Sequence, residues 1–111
     1  MAKENARLVD GSDIFDLGQV RARSADPSPA VIAAKISFPY PAADIRFKEE
    51  LEKKAPALRA AAVDFFSSKK TADLLPASEG AVKAGLVGTF NALLSLGKVE
   101  EVWFSDFAVL Q

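Results

Sequence analysis

The sequence predicts an α+β domain in which a small three-stranded, mainly antiparallel sheet is packed by two long helices in the order β-β-α-α-β. Three observations predict it. Apolar residues alternate with a period of two before residue 39 and again after residue 98, and recur every three or four residues in between. Prolines and turn formers gather where the period changes. Strands and helices come in runs, which favours segregated layers over alternating βαβ units. A chain of 111 residues, half of them apolar, suits one hydrophobic core.

Residues 1–12 are small and polar and end in the turn-prone Asp10, Gly11 and Ser12, so they read as a flexible lead to a single domain over residues 13–111. The first strand spans residues 14–23, where Ile14, Asp16, Gly18, Val20 and Ala22 alternate imperfectly with Phe15, Leu17, Gln19, Arg21 and Arg23. Asp26, Pro27, Ser28 and Pro29 form the turn of a hairpin. The second strand, residues 31–38, puts Ile32, Ala34, Ile36 and Phe38 on one face and Lys35 and Ser37 on the other. Pro39 and Pro41 are expected to stop it.

Asp44 then caps a helix whose buried stripe is Phe47, Leu51, Ala55, Leu58, Ala62 and Phe65. Glu49, Glu50 and Glu52, with Lys53 and Lys54, fall on its solvated face. Pro56 lacks an N–H and requires a kink or a restart, with a bend and a continuing stripe expected. Thr71 caps a single turn through Leu74 and Leu75, ended by Pro76. The second helix is expected over residues 78–96, with Val82, Leu86, Phe90, Leu93 and Leu94 on one face and Gly97 as its C-cap. Gly80, Ala84 and Gly88 lie four apart, a small-residue flank suited to close packing. The last strand spans residues 99–110. Val102, Phe104, Asp106, Ala108 and Leu110 oppose Glu101, Trp103, Ser105, Phe107 and Val109, so both faces carry large apolar groups.

Composition narrows function by exclusion. The chain has no Cys and no His, which removes thiol chemistry, imidazole acid/base catalysis and the common metal sites. No loop gathers alternating acidic ligands for a hard cation. Metal, cofactor and catalytic residues are therefore all expected to be none. A net charge of −1 leaves no basic surplus for a phosphate backbone, so nucleic acid is not expected as a partner. The longest apolar run is five residues, 30–34, against the roughly 20 needed to span a bilayer.

Short motifs have plainer explanations. Ser67 and Lys70 match Ser-x-x-Lys, yet the Ser-Asp-Asn and Lys-Thr-Gly partners of serine acyl enzymes are absent, and lysines at a helix C-terminus complement its dipole. The stretch from Gly80 to Gly88 lacks the Gly-x-Gly-x-x-Gly pattern, so packing explains it better than phosphate binding. The acid pairs Asp13 with Asp16, Glu49 with Glu50 and Glu100 with Glu101 read as solvated charge. Phe104 reads as core, and Trp103 divides evenly between core and interface anchor.

The C-terminal half carries a more specific signature. It runs Phe65-Phe66-Ser67-Ser68-Lys69-Lys70-Thr71, then Ala72-Asp73-Leu74-Leu75, then Ser78-Glu79-Gly80, and closes on Val102-Trp103-Phe104-Ser105-Asp106-Phe107-Ala108-Val109-Leu110-Gln111. This resembles the FliL family of flagellar basal-body proteins, with its Ser-Ser-Lys-Thr stretch, Leu-Leu turn, Glu-Gly helix start and Val-Tyr-Phe-Thr-Asp-Phe-type final strand. Two departures are a second lysine, so that Lys69 and Lys70 stand before Thr71, and Trp103 in place of Tyr. About half of the chain matches closely, and the first half matches in layout.

The resemblance implies a stomatin/prohibitin-like core and a non-enzymatic motor component. It implies association with the MotA and MotB stator proteins and other basal-body components, support of torque, swimming or swarming, and homo-oligomerisation around the stator. It also implies an N-terminal membrane anchor, absent from this chain, that places the domain in the periplasm. On that reading the chain is the excised outer domain, and it self-associates weakly without the local concentration that a membrane provides. The alternative is a periplasmic small-molecule-binding or general scaffold module. The motif positions carried over are Ser67, Ser68, Lys69, Thr71, Leu74, Leu75, Glu79, Gly80, Phe104, Asp106 and Phe107.

Overall fold

Two register shifts in the sheet decide which side chains reach the core. The computed structural model describes residues 10–111, so the lead expected over residues 1–12 lies largely outside the described residues. The order is β1 (Ser12–Arg23), β2 (Val31–Pro41), α1 (Ile45–Ser67), two short 3₁₀ turns (Thr71–Leu74 and Pro76–Ser78), α2 (Glu79–Asn91) and β3 (Trp103–Leu110). The sheet is antiparallel, in the order β1-β2-β3, with β2 in the centre. The α+β class and the β-β-α-α-β order are therefore as the sequence predicts.

In β1 the pairing jumps from Asp16↔Ser37 to Gly18↔Ile36, which leaves Leu17 as an extra residue. Gly18 takes φ +93°, a left-handed conformation that costs glycine little. Above the bulge Phe15 and Leu17 face the core, and below it Val20 and Ala22 do. The imperfect alternation in the sequence is this change of phase. In β3, Ala34↔Phe107 is followed by Ile36↔Phe104, so Ser105 and Asp106 together oppose Lys35. That bulge corrects the expected faces of the last strand. Phe104 and Phe107 share the core side, stacked at 5.1 Å between centroids, and both rings lie against Phe66.

β2 follows its predicted pattern, with Ile32, Ala34, Ile36 and Phe38 all buried. It does not stop at Pro39 but runs on to Pro41. Its pairing with β3 ends at Ser37↔Trp103, so beyond Ser37 it is paired only with β1. A proline's missing N–H is tolerated on such a free edge.

α1 runs unbroken from Ile45 to Ser67, capped by the Asp44 carboxylate, which accepts the Phe47 amide at 3.1 Å. Pro56 does not restart it. Pro56 and Glu52 are both exposed, so the Glu52 carbonyl deprived of its partner sits where water can satisfy it. The buried stripe is Phe47, Leu51, Leu58, Ala62 and Phe66, with Ala55 and Phe65 only partly covered.

α2 ends at Asn91, five residues before the expected terminus. In a continuing helix the Ser95 and Leu96 amides would bond to the carbonyls of Asn91 and Ala92. They bond instead to the Glu50 carboxylate, at 2.7 and 2.8 Å. Glu50 also receives Lys54 Nζ at 2.8 Å, and the same ammonium donates to the Leu93 carbonyl at 2.6 Å. Glu50 is thus not a solvated charge: it is 7% exposed and pins the chain that leaves α2. Burial raises its pKa, but Lys54 and the Leu96 and Ser95 amides outweigh that and hold the carboxyl below its ordinary value.

The Asn91 side chain completes the turn by donating to the Val99 carbonyl and accepting the Val99 amide, at 2.9 and 2.8 Å. Residues 99–102 are consequently irregular, with Val99 and Val102 buried, and β3 begins only at Trp103. Gly97 is not a left-handed cap. A Cβ there would stand 2.9 Å from the Phe47 ring, so its role is close approach. The expected small-residue flank is also corrected. Gly80 and Gly88 face open space, while Gly85 is the crowded position, where an added Cβ would stand 2.7 Å from Phe65 Cε1.

Candidate functional site

The Ser-Ser-Lys-Lys-Thr stretch ends α1 and ties it to the hairpin turn between β1 and β2. The Ser68 hydroxyl donates to the Phe65 carbonyl at 2.7 Å and closes the helix. The Lys69 carbonyl accepts the Ala25 amide at 2.8 Å, and the Lys69 ammonium lies 4.9 Å over the Phe65 ring. Thr71 donates its amide and its hydroxyl to Asp26, at 2.9 and 3.3 Å. Thr71 therefore opens the 3₁₀ turn rather than capping it. The Lys70 amide is taken by the Asp73 carboxylate at 3.0 Å.

Asp26 is held from its own side as well, by the Ser24 hydroxyl at 2.5 Å, while Ser24 Oγ accepts the Ala30 amide at 2.9 Å. The Ser24 hydroxyl and the Thr71 amide keep the Asp26 carboxyl below its ordinary value, against the opposing effect of burial. The motif thus joins a hairpin turn to a helix end across more than forty residues of chain. Its sequence partner Asp26 reads only as a turn former, because nothing local marks it as the acceptor for Thr71.

Ser67 is exposed at the end of α1, and no hydrogen bond joins it to Lys70 among the described residues. Among the described residues no lysine is hydrogen-bonded to Ser67 to take its proton, as nucleophilic activation requires.

The remaining motif positions converge elsewhere. Leu74, Leu75, Glu79, Phe104 and Phe107, with Pro76 and Val82, line an open groove of about 310 Å³ between the 3₁₀ turns, the start of α2 and β3. Leu74 is buried and forms the floor, whereas Leu75 is 57% and Phe107 37% exposed. Glu79 is the one charged lining residue, and it pairs with Lys83 at 2.9 Å. Lys83 Nζ also stands 5.4 Å from the centre of the Phe104 ring. Gly80 follows Glu79 in α2 with free space around it. Asp106 is exposed in the β3 bulge, and it is this bulge that carries Phe107 round to the groove.

Trp103 is half-buried on the opposite face of the sheet, opposite Ser37, with its indole N–H donating to Glu101 at 3.1 Å. It is not a groove residue. Among the described residues no cluster of three or more acidic side chains is arranged to hold a metal ion, and no helix is long and apolar enough to cross a membrane.

The groove gathers residues from three separate stretches, 74–76, 79–82 and 104–107. The spacing of the motifs gives no hint that they meet. A surface of this kind, apolar with exposed leucine and phenylalanine and an ion pair at its rim, suits contact with another molecule.

Comparison with known proteins agrees with the C-terminal signature. Residues 15–110 match the family described as "Flagellar basal body-associated protein FliL". The "Flagellar protein FliL" of Aquifex aeolicus (strain VF5) is 31% identical over 86 residues, covering 77% of this chain and 53% of that protein. The chain thus spans about half the length of the curated relative it matches.

Proposed function

Because the chain belongs to the FliL family of flagellar basal body-associated proteins, we propose that it is a non-enzymatic motor component that binds the MotA/MotB stator at the basal body and supports torque and motility. The domain acts as a periplasmic module of a single-pass inner-membrane protein, and copies of it assemble around the stator. The observation that carries the contact role is the groove beside β3, where four apolar motif positions, Leu74, Leu75, Phe104 and Phe107, meet Glu79 from a third stretch of chain. Two of them, Leu75 and Phe107, leave large apolar area in water, which a monomer gains nothing by retaining.

A small-molecule site is the weaker alternative. The groove is at the lower end of the range for ligand pockets, and its one polar lining group is already paired.

The test is made in the cell, in the full-length protein. Leu75→Lys and Phe107→Lys replace exposed side chains, so the domain is expected to fold while swimming speed falls and fluorescently tagged stator units exchange faster at the motor. Wild-type torque and stator occupancy with both variants at normal abundance would remove this reading.

A further inference from the structure

We propose that the end of α2 is a two-state latch set by Glu50: with the carboxylate charged, the segment after Asn91 is held against α1, and with that charge removed by acid, α2 winds on through Leu96. The device is separate from the groove and acts on the connection between α2 and β3.

Local preference and tertiary structure disagree at this point. Residues 92–97 read Ala-Leu-Leu-Ser-Leu-Gly. Alanine and leucine are among the best helix formers, and a glycine directly after them suits the left-handed residue that ends many helices. Val82, Leu86 and Phe90, the residues that α2 buries, are followed at the same step of four by Leu94. A longer helix therefore keeps Leu94 on the core side, where it already packs. Leu93 and Leu96 are exposed as they stand, so winding them into a turn uncovers little apolar area. Conflicts of this kind between local and global preference mark strained or functional positions.

The conflict is a contest for two donors. The Ser95 and Leu96 amides bond to Glu50, and their helical acceptors would be the Asn91 and Ala92 carbonyls. The chain before them is already partly wound. The Ala92 amide bonds to the Gly88 carbonyl at 3.1 Å, as in an α-helix, while the Leu93 and Leu94 amides bond three residues back, to Phe90 and Asn91, at 2.9 and 3.3 Å. The two arrangements thus differ by about one turn. Gly97 against the Phe47 ring and the Lys54 ammonium on the Leu93 carbonyl support the held arrangement. The Asn91 side chain, which holds Val99, bounds the changing stretch on its far side.

Glu50 decides the contest through its charge, because hydrogen bonds to an ionised group are roughly twice as strong as neutral ones. Its charged neighbours are Lys54, with Arg46, Glu49 and Lys53 lining the same cleft on α1. Residues 91–97 contribute no titratable side chain. Burial opposes the charge, and Lys54 with the two amides outweighs it. The latch is therefore closed above the ordinary carboxylate value, near 4.5, and opens as the pH falls through the lower folded value.

The experiment follows backbone carbon chemical shifts of residues 92–96 and amide hydrogen exchange in the isotopically labelled chain. In Glu50→Gln at neutral pH the ratio of wound to held arrangements should rise about thirty- to a hundredfold, and the shifts should move towards helical values. The Ser95 and Leu96 amides then exchange faster than in the native chain, because the last turn of a helix frays. The native chain should acquire the same helical shifts as the pH falls from about 4.5 towards 2, before the sheet loses its dispersed signals. Ser95→Ala and Ser95→Gly leave Glu50 and both amides in place. Exchange at Leu96 should be about fivefold faster with alanine, which favours the wound alternative. A plain loop held by Glu50 gives the reverse order, since glycine's freedom opens it.

Shifts in Glu50→Gln that stay at native values or move to coil values overturn the proposal, as does faster exchange in Ser95→Gly than in Ser95→Ala. Loss of the sheet signals in acid before any helical shift appears also overturns it. If Glu50→Gln does not fold, the Ser95 pair decides in the otherwise native chain.

Discussion

Replacing Glu50 by Gln should unfasten the end of α2 from α1. The carboxylate accepts two backbone amides, from Ser95 and Leu96, and one ammonium, from Lys54. A hydrogen bond to a charged group contributes about 1.5–3 kcal/mol when fully buried. Leu96 is itself 54% exposed, so water can reach the released amides and each loss falls to about 1 kcal/mol. Lys54 is partly exposed, and its ion pair adds at most about 1 kcal/mol. The total is about 2–3 kcal/mol, which for a domain of this size lowers the unfolding midpoint by roughly 8–12 °C.

Because the folded-state pKa of Glu50 is depressed, its contribution is complete above the ordinary carboxylate value, near 4.5, and is lost as pH falls through the lower folded value. Thermal unfolding of the native chain and of Glu50→Gln, at neutral pH and in acid, gives the difference directly. The gap should be widest at neutral pH and close as the pH falls from about 5 towards 2. Hydrogen exchange at the Ser95 and Leu96 amides should accelerate in the variant. A change smaller than about 0.5 kcal/mol, the ordinary scatter of surface substitutions, or unchanged protection of those two amides would refute the latch.

The helix α2 supplies a matched set of glycine tests. Gly80→Ala and Gly88→Ala meet no atoms and should each stabilise by about 0.4–1 kcal/mol, whereas Gly85→Ala meets the Phe65 ring and should destabilise, with Phe65→Leu restoring part of the loss; chemical denaturation measures all four. Gly18→Ala forces a left-handed backbone on a side chain and should cost about 1–2 kcal/mol in the same assay, although space is available for the methyl. Asp26→Ala should leave the secondary structure intact but expose the Thr71 amide to hydrogen exchange. The Asp26 pKa is depressed, so in the native chain that protection should hold above about pH 4 and weaken as acid protonates the carboxyl.

Much of the fold is legible in the sequence because periodicity reports burial directly. Ile32, Ala34, Ile36 and Phe38 alternate without interruption, and all four are buried on one face. Phe47, Leu51, Leu58 and Ala62 keep helical spacing across Pro56, and Asp44 caps the helix where the sequence places it. The resemblance to the family is legible because the stretch at residues 65–71 and the final strand are contiguous strings in the sequence. The candidate site is legible only in pieces. Leu75, Glu79 and Phe107 are each present in a motif, but the groove they share exists only once β3 lies beside the start of α2.

By itself, then, the sequence determined the α+β class, the order of elements, the core faces of β2 and α1, and the lack of thiol and imidazole chemistry. Each depends on residue type or on spacing within one element. The tertiary structure alone decided the faces of β1 and β3, the length of α2 and the roles of Glu50, Asp26 and Gly85. A bulge inserts one residue and reverses every side chain beyond it, so local alternation cannot reveal the final face. A buried carboxylate looks like a surface charge until the amides it accepts arrive from some forty-five residues away. The final strand ends at Leu110 in either description, but the bulge at Ser105 and Asp106 gathers its two phenylalanines on one side.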